Sequence, residues 1–315
     1  MRLPDFLQER IDKILEKTTP SSLRLAREFL SKTYREQNYS QSIFANDATR
    51  LAYLATRLPA TYAAVHYVLR ELQKQRPDLE CRTLLDLGAG PATASLAMCD
   101  VFPQMGHAIL VEKSMEAITL GKQLFLETRS EWFCQDLKEM KEFPKVDLAI
   151  LSYSLGEIRP SVAFLDRLWN SDVNTVVIVE PGTPTGYQTI LEARDAFLKR
   201  GAKIVAPCPH ARPCPLQKGD WCHFSVRLER TRLHRLLKEG TLGFEDEKFS
   251  YLIVTKKNIE TPKFSRILRH PLKGSGHVRL ALCTDEGERV EKTISRKDKA
   301  LYRMSRDKEW GDVWG

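Results

Sequence analysis

The sequence predicts an α/β fold: a parallel sheet covered by helices on both faces, with a helical segment before it and a small basic β segment after it. Three observations predict this. From residue 83 onward, short β-branched or apolar runs alternate with helical patterns, which is the signature of βαβ units. A glycine loop follows the first of those runs and opens a helix. The first 87 residues contain no glycine, which favours helices over hairpins there. The 315 residues suit about two domains. Their 42% apolar content is enough for a sizeable core and excludes global disorder.

In chain order, Leu23, Ala26, Leu30 and Tyr34 recur at helical spacing, with Ser21-Ser22 available as an N-cap after Pro20. A second helical pattern covers 51–72, interrupted at Pro59, with Tyr62, Val65, Leu69 and Leu72 on one face. The runs 83–87, 108–111, 146–151, 175–179, 203–206 and 251–255 read as strands, and the stretch before Asp136 as a further one. Helical patterns fill 92–101, 115–128, 161–170 and 188–200. Residues 207–228, rich in Pro, Cys, His and Gly, break the alternation and read as a loop built around something. Beyond it, 277–284 and 288–295 read as a hairpin turning at Asp285-Glu286-Gly287. The expected organisation is 1–80 helical, 81–257 α/β with an inserted cysteine loop at 207–224, and 258–315 as a basic β extension.

No stretch approaches the roughly 18 apolar residues of a membrane span. The opening Met1-Arg2-Leu3-Pro4-Asp5 resembles neither a signal peptide nor a transit segment. The expected compartment is therefore a cytoplasm, with a mitochondrial matrix as the alternative. Seven cysteines, an odd number, argue against a disulfide framework. The net charge is +8. Residues 256–315 hold 15 Lys/Arg against 9 Asp/Glu, so most of the excess sits in the last fifth of the chain. A basic end suits a nucleic-acid phosphate backbone, or simply a solubilising surface.

The segment Asp86-Leu87-Gly88-Ala89-Gly90-Pro91-Ala92-Thr93 carries the clearest chemistry. Glycines let a ligand approach the backbone where a Cβ would block it, and the strand–loop–helix context required of such a motif is present. Glu112 ends the second strand, where an acid can accept hydrogen bonds from both hydroxyls of a ribose. A dinucleotide fingerprint needs a third glycine where Thr93 stands, and Asp86 would face a pyrophosphate. S-adenosylmethionine has no phosphate and carries an ammonium and a sulfonium, so an acid before the glycines favours it. Asp136 is placed for the adenine edge, and Ser152 to Ser154 border the methionine end. These residues point to a class I S-adenosylmethionine-dependent methyltransferase (Rossmann-like) fold. The Asn/Asp-Pro-Pro-Tyr/Phe motif of amine methylation is absent at 151–157, and so is a Pro-Cys nucleophile. Tyr153 and Glu157 are catalytic candidates by position alone, and no catalytic residue is assigned.

The second site candidate is Cys208, Cys214 and Cys222, spaced C-x5-C-x7-C among prolines. A zinc knuckle uses C-x2–4-C. The wider gaps suit a larger cluster, and Cys-Pro pairs occur in ferredoxins. Cys283, at the end of an apolar strand, is the natural fourth ligand. His210 or His223 would instead complete a Cys3His zinc site.

The segments Val179-Glu180-Pro181-Gly182-Thr183-Pro184, Ala206-Pro207-Cys208-Pro209-His210, Cys214-Pro215-Leu216, Asp220-Trp221-Cys222-His223-Phe224 and 245–251 resemble the methyltransferase-like family of the mitochondrial small ribosomal subunit. Arg57-Leu58-Pro59-Ala60-Thr61-Tyr62 resembles it too. The resemblance implies an S-adenosylmethionine-type fold and a [4Fe-4S] cluster on Cys208, Cys214, Cys222 and Cys283. It also implies a small-subunit assembly factor that binds rRNA. A monomer is expected, and the lack of an obvious mitochondrial presequence favours a bacterial member. Arg212, Lys218, Arg227, Arg230, Arg232 and Arg235 are candidates to extend the RNA surface. The alternatives are an active rRNA methyltransferase and a zinc-stabilised methyltransferase acting on another substrate.

Overall fold

A computed structural model describes residues 1–36, 44, 46–126, 128–159, 161–216, 219–238, 240–260 and 263–315, without the side chains of 33–36. The helices are α1 (Asp5–Leu15), α2 (Pro20–Glu36), α3 (Asp47–Ala52), α4 (Leu58–Gln75), α5 (Thr93–Val101), α6 (Met115–Leu124), α7 (Val162–Asn170), α8 (Pro184–Leu198), α9 (Arg232–Leu237) and α10 (Lys299–Arg306). The strands of the large sheet are β1 (Thr83–Leu87), β2 (His107–Glu112), β3 (Arg129–Cys134), β4 (Val146–Ser152), β5 (Val173–Pro181), β6 (Lys203–Ala206), β7 (Phe224–Glu229) and β8 (Phe244–Thr255). The small sheet contains β9 (Ser265–Ile267), β10 (Leu272–Lys273), β11 (His277–Cys283), β12 (Arg289–Ser295) and β13 (Val313–Trp314).

The large sheet runs β3-β2-β1-β4-β5-β8-β6, with β7 also on β8. β1 to β5 are parallel, and their near-continuous apolar runs are what a sheet buried on both faces requires. The expectation of a wholly parallel sheet is corrected at β8, which is antiparallel to β5 and β6. The reason lies in the connection. After β6 the chain loops through the cysteines, returns as β7, reverses through α9 and re-enters the sheet along β8. The first half of β8 pairs with β7 and its second half with β6. An antiparallel strand inserted between the fifth and sixth parallel strands distinguishes the class I methyltransferase fold from the all-parallel dinucleotide fold.

Leu23, Ala26 and Leu30 are buried as their spacing predicts, whereas the side chain of Tyr34 lies outside the described residues. α2 starts at Pro20 itself, with the Ser22 hydroxyl bonded to the Thr19 carbonyl, so the proposed serine N-cap falls inside the helix. Pro59 does not interrupt a helix. It sits in the first turn of α4, where a missing N–H costs nothing, after a π-helical turn over Tyr53–Arg57. α4 is buried on nearly every side. It packs with α1, α2 and one face of the sheet into one apolar cluster. The helix expected over 115–128 ends at Leu124. α8 begins earlier than expected, at Pro184, because the Thr183 hydroxyl accepts from the Gly186 N–H and caps it.

The C-terminal hairpin forms between β11 and β12 as expected, with Gly287 supplying the positive φ of the turn. β9, β10 and β13 extend it into the small sheet. That sheet has its own apolar cluster, with Ile267, Leu280, Ile294 and Tyr302 among its members.

Candidate functional site

The carboxyl ends of β1, β2 and β4 open onto a cleft of about 1010 Å³ that is open to solvent. Asp86, Gly88, Gly90, Glu112, Asp136 and Ser152 all line it. Gly88 and Gly90 both have positive φ, 76° and 52°. A Cβ on Gly88 would stand 2.5 Å from the Ser154 Cβ, so that position admits no side chain. Asp86 is buried, and its Oδ2 accepts from both the backbone N–H and the hydroxyl of Ser95, tying β1 to α5. Its Oδ1 is buried with no partner among the described residues. Burial pushes this carboxyl up to about 7, against the opposing pull of the Ser95 hydrogen bonds.

Glu112 spans the glycine loop. One carboxylate oxygen accepts from the Gly90 N–H and the other from the Ser114 N–H, each at 2.9 Å. Asp136 caps a single helical turn by accepting from the Lys138 N–H, while still facing the cleft. The Ser152 hydroxyl is buried without a partner among the described residues. The Ser154 hydroxyl turns away and donates to the Leu87 carbonyl.

The two positional candidates for catalysis are both engaged. The Tyr153 hydroxyl donates to Glu247 Oε1 at 3.1 Å, and Arg57 lies over its ring. Glu157 pairs with Lys113 at 2.7 Å. Sequence reasoning missed Phe44, Tyr53 and Thr61, which line the cleft from the N-terminal helical region. No local motif marks Phe44 or Tyr53, and Thr61 stands in the family-like run at 57–62 without being read as part of a site; only the tertiary fold brings the three over the glycine loop.

A second cavity lies between α8, β8 and the small sheet. Cys208, Cys214, Cys222 and Cys283 all line it. Burial pushes the thiols of Cys208, Cys222 and Cys283 up, that of Cys283 to about 12, and the neighbouring cysteines add to the rise. Two buried arginines frame the loop. Arg194 donates to the His210 and Arg212 carbonyls. Arg266, directly across the strand pair from Cys283, donates to the carbonyls of Pro207 and Gly311. Arg194 Nε, Arg266 Nη2 and Tyr251 Oη line or border this cavity without partners among the described residues.

His210 lies with the cysteines, its Nε2 3.3 Å from Cys283 Sγ. His223 does not. Its Nδ1 faces the Trp221 carbonyl, and its ring packs between Trp221 and Trp310. Among the described residues no three His, Cys, Asp or Glu groups stand close enough to hold a metal ion. Thiolates sharing one zinc, each about 2.3 Å from it, lie within about 4 Å of one another. Neither a zinc site nor a larger cluster has its ligand geometry here; four cysteines line one cavity, beside guanidinium N–H groups that are unpartnered among the described residues.

Three of the arginines offered for an RNA surface are used internally. Arg227 forms a two-pronged pair with Asp246, Arg230 pairs with Glu245, and Arg212 donates to the Glu286 carbonyl. Arg232 and Arg235 are exposed, and Lys218 lies outside the described residues. Among the described residues no helix is long and apolar enough to cross a membrane.

A protein-family model described as mitochondrial small ribosomal subunit Rsm22 matches residues 47–315. The chain is 29% identical to the human protein named ribosome assembly protein METTL17, mitochondrial, over 87% of this chain and 64% of that one. It is 26% identical to the Schizosaccharomyces pombe Rsm22-cox11 tandem protein 2, mitochondrial, over 86% of this chain and 44% of that one. Against the Saccharomyces cerevisiae ribosome assembly protein RSM22, mitochondrial, identity is 23% over 99% of this chain and 74% of that one. The chain thus spans less than two thirds of the human and fission-yeast proteins. Among solved structures, it is similar to the magnesium protoporphyrin IX methyltransferase ChlM from Synechocystis, at TM-score 0.41 and 12% identity over 74% of this chain and 100% of that one. It is also similar to a precorrin-6y C5,15-methyltransferase from Geobacter metallireducens, at TM-score 0.39 and 15% identity over 61% of this chain and 88% of that one. The strand order, rather than these likenesses, carries the fold.

Proposed function

Since the chain belongs to the Rsm22 family of the mitochondrial small ribosomal subunit, we propose that it is a small-subunit assembly factor that binds rRNA. In this reading S-adenosylmethionine occupies the glycine-loop cleft, and a [4Fe-4S] cluster is held by Cys208, Cys214, Cys222 and Cys283. The observation that carries the reading is the second cavity, which four cysteines from a loop and a distant strand line together with two buried arginines. A thiolate-ligated cluster is anionic, and the free N–H groups of Arg194 and Arg266 would offset its charge. Binding the irons requires deprotonation of thiols that burial otherwise keeps protonated.

For the cleft, Asp86 Oδ1 is a buried acceptor with no donor among the described residues, as an ammonium group would find it. The Ser152 hydroxyl is likewise unpaired, and Glu112 and Asp136 offer further acceptors for ribose hydroxyls and an adenine amine. With Tyr153 bonded to Glu247 and Glu157 to Lys113, the reading assigns no catalytic residue. Within it, 1–80 and 81–257 build the cleft, and 258–315 faces RNA. The compartment is that of the small subunit it serves: a bacterial cytoplasm, or the mitochondrial matrix that the names of the relatives favour.

The test is anaerobic purification of the tagged chain from cells, with metal and sulfide analysis, followed by sedimentation of its ribosomal particles. About four irons and four sulfides per chain, with immature small subunits enriched, are expected. One zinc without sulfide removes the cluster, and failure to enrich small subunits removes the assembly role.

A further inference from the structure

Several cations of the C-terminal segment are paired: Arg266 with Glu71, Lys273 with Glu309, Arg269 with Asp220, and Arg289 with Asp220 and Glu291. Lys256, Lys292 and Arg296 lie against aromatic rings. Of the others, Lys257, Lys263 and Arg279 are scattered along the chain, and the rest gather on or beside one helix. In α10, Lys299, Arg303 and Arg306 stand at i, i+4 and i+7 and so share a face, and all three are exposed. Exposed Lys297 immediately precedes the helix. None of these four takes part in an ion pair among the described residues.

The arrangement costs the isolated molecule something. Like charges four apart destabilise a helix by a few tenths of a kcal/mol per pair. Lys299 also stands in the first turn, where the helix dipole disfavours a cation, although Arg303 and Arg306 gain from the last turn. The adjoining side of α10 is committed. Tyr302 and Ser305 are buried against the small sheet, and Trp314 Nε1 donates to Ser305 Oγ at 3.1 Å. With Tyr302 and Leu301 packed and Met304 the one large apolar side chain of α10 that is exposed, the helix offers little apolar face to a lipid surface. From Lys299 to Arg306 the stripe rises about 10 Å, the reach of two or three successive phosphates on one strand.

We propose that Lys297, Lys299, Arg303 and Arg306 form the docking site for the sugar-phosphate backbone of rRNA, held without regard to base sequence. This rests on the rRNA reading above and assigns the contact to one helix face. The hairpin leading into that helix begins on β11, which ends at Cys283, so the stripe is built on the element that closes the cysteine cavity.

The experiment measures binding of the full chain to in vitro-transcribed small-subunit rRNA at several salt concentrations. It compares wild type, Lys299→Gln/Arg303→Gln/Arg306→Gln, and a control that removes three exposed cations elsewhere, Lys13→Gln/Lys17→Gln/Lys122→Gln. The stripe variant is expected to bind at least about tenfold more weakly, with the salt slope reduced by about three, and the control to match wild type. A charge-keeping variant, Lys299→Arg/Arg303→Lys/Arg306→Lys, should retain the slope and rules out a folding defect. If wild type binds rRNA but the stripe variant binds equally well with the same slope, or the control loses as much, the inference fails while rRNA binding stands. If wild type does not bind rRNA at all, both fall. Binding to vesicles of anionic phospholipid that depends on the stripe, with rRNA binding unaffected by it, also overturns the assignment.

Discussion

Arg266 on β9 and Glu71 on α4 form a buried ion pair of 2.8 Å, joining the small sheet to the helical region. The same guanidinium reaches the Pro207 carbonyl, beside Cys208, and the Gly311 carbonyl. One side chain thus ties together the N-terminal helices, the cysteine loop and the end of the chain. Removing one member of a buried pair leaves the other charge uncompensated, at a cost of about 3–5 kcal/mol. Glu71→Gln, which leaves Arg266 without its carboxylate, is therefore expected to lower the unfolding free energy by about that much in urea titrations, and Arg266→Met, which leaves Glu71 still paired with Lys74, by less. The double variant should cost clearly less than the sum of the two. Additive losses would show that the two residues act separately.

The two loop glycines are expected to respond differently to alanine. At Gly88 a Cβ meets Ser154 at 2.5 Å and the φ of 76° adds strain, so Gly88→Ala should destabilise the fold and abolish binding of S-adenosylhomocysteine. At Gly90 the nearest atom to a Cβ is 3.7 Å away, on Phe44. Only the strain of the positive φ remains, about 1 kcal/mol. Gly90→Ala should then fold almost normally, so that any affinity it loses comes from a Cβ standing in the cleft beside Phe44 and not from the fold. Thermal melting and calorimetric titration check both. Equal melting of the two variants would contradict the packing argument.

Glu180 makes stability depend on pH. It is buried, and burial pushes its carboxyl from 4.5 up to about 8, although the backbone N–H groups of Gly156 and Leu155 pull the other way. The folded state therefore holds a proton that the unfolded state has released. This contribution is fully present below about pH 4.5, declines as pH rises toward 8, and is gone above it. Asp86, raised to about 7, acts in the same direction over a lower window. Glu180→Gln keeps a neutral acceptor for the Gly156 N–H and has no proton to lose. Relative to wild type, its stability in urea titrations is expected to gain steadily between pH 5 and pH 8. A constant difference across that range would place Glu180 outside the titration.

The glycine loop, Glu112 and Asp136 were legible because strand, loop and acid lie close along the chain and follow simple backbone rules. The cysteine spacing was legible for the same reason, and Cys283 because it ends an apolar strand. What escaped was set by distant contacts. Arg194 and Arg266 look in the sequence like ordinary helix and strand cations, and only the packing of the small sheet against α8 and α4 buries them. Phe44 and Tyr53 carry no motif, yet they pack edge to face at 5.1 Å over the cleft. The antiparallel β8 was hidden because its own run reads like any other buried strand. Its direction is fixed by β7 and α9, inside and just after a stretch that looked irregular.

In the proposed reading Asp86 and Glu112 divide the recognition of S-adenosylmethionine, and two probes separate their shares. Glu112 holds the loop through the N–H groups of Gly90 and Ser114. A glutamine there keeps one acceptor oxygen and turns an NH2 toward an N–H donor. Losing a hydrogen bond to a charged group costs about 1.5–3 kcal/mol. Glu112→Gln should therefore weaken S-adenosylhomocysteine and 5′-methylthioadenosine alike, by about ten- to a hundredfold. Asp86 Oδ1 is the free acceptor suited to the amino-acid end. Its partner oxygen is already bound to Ser95. Asp86→Asn should weaken S-adenosylhomocysteine, which carries the ammonium, and leave methylthioadenosine, which does not, near its wild-type affinity. Calorimetry with both ligands reads the pattern. If Asp86→Asn weakens both probes equally, Asp86 acts only through the β1–α5 junction and the ammonium assignment is lost.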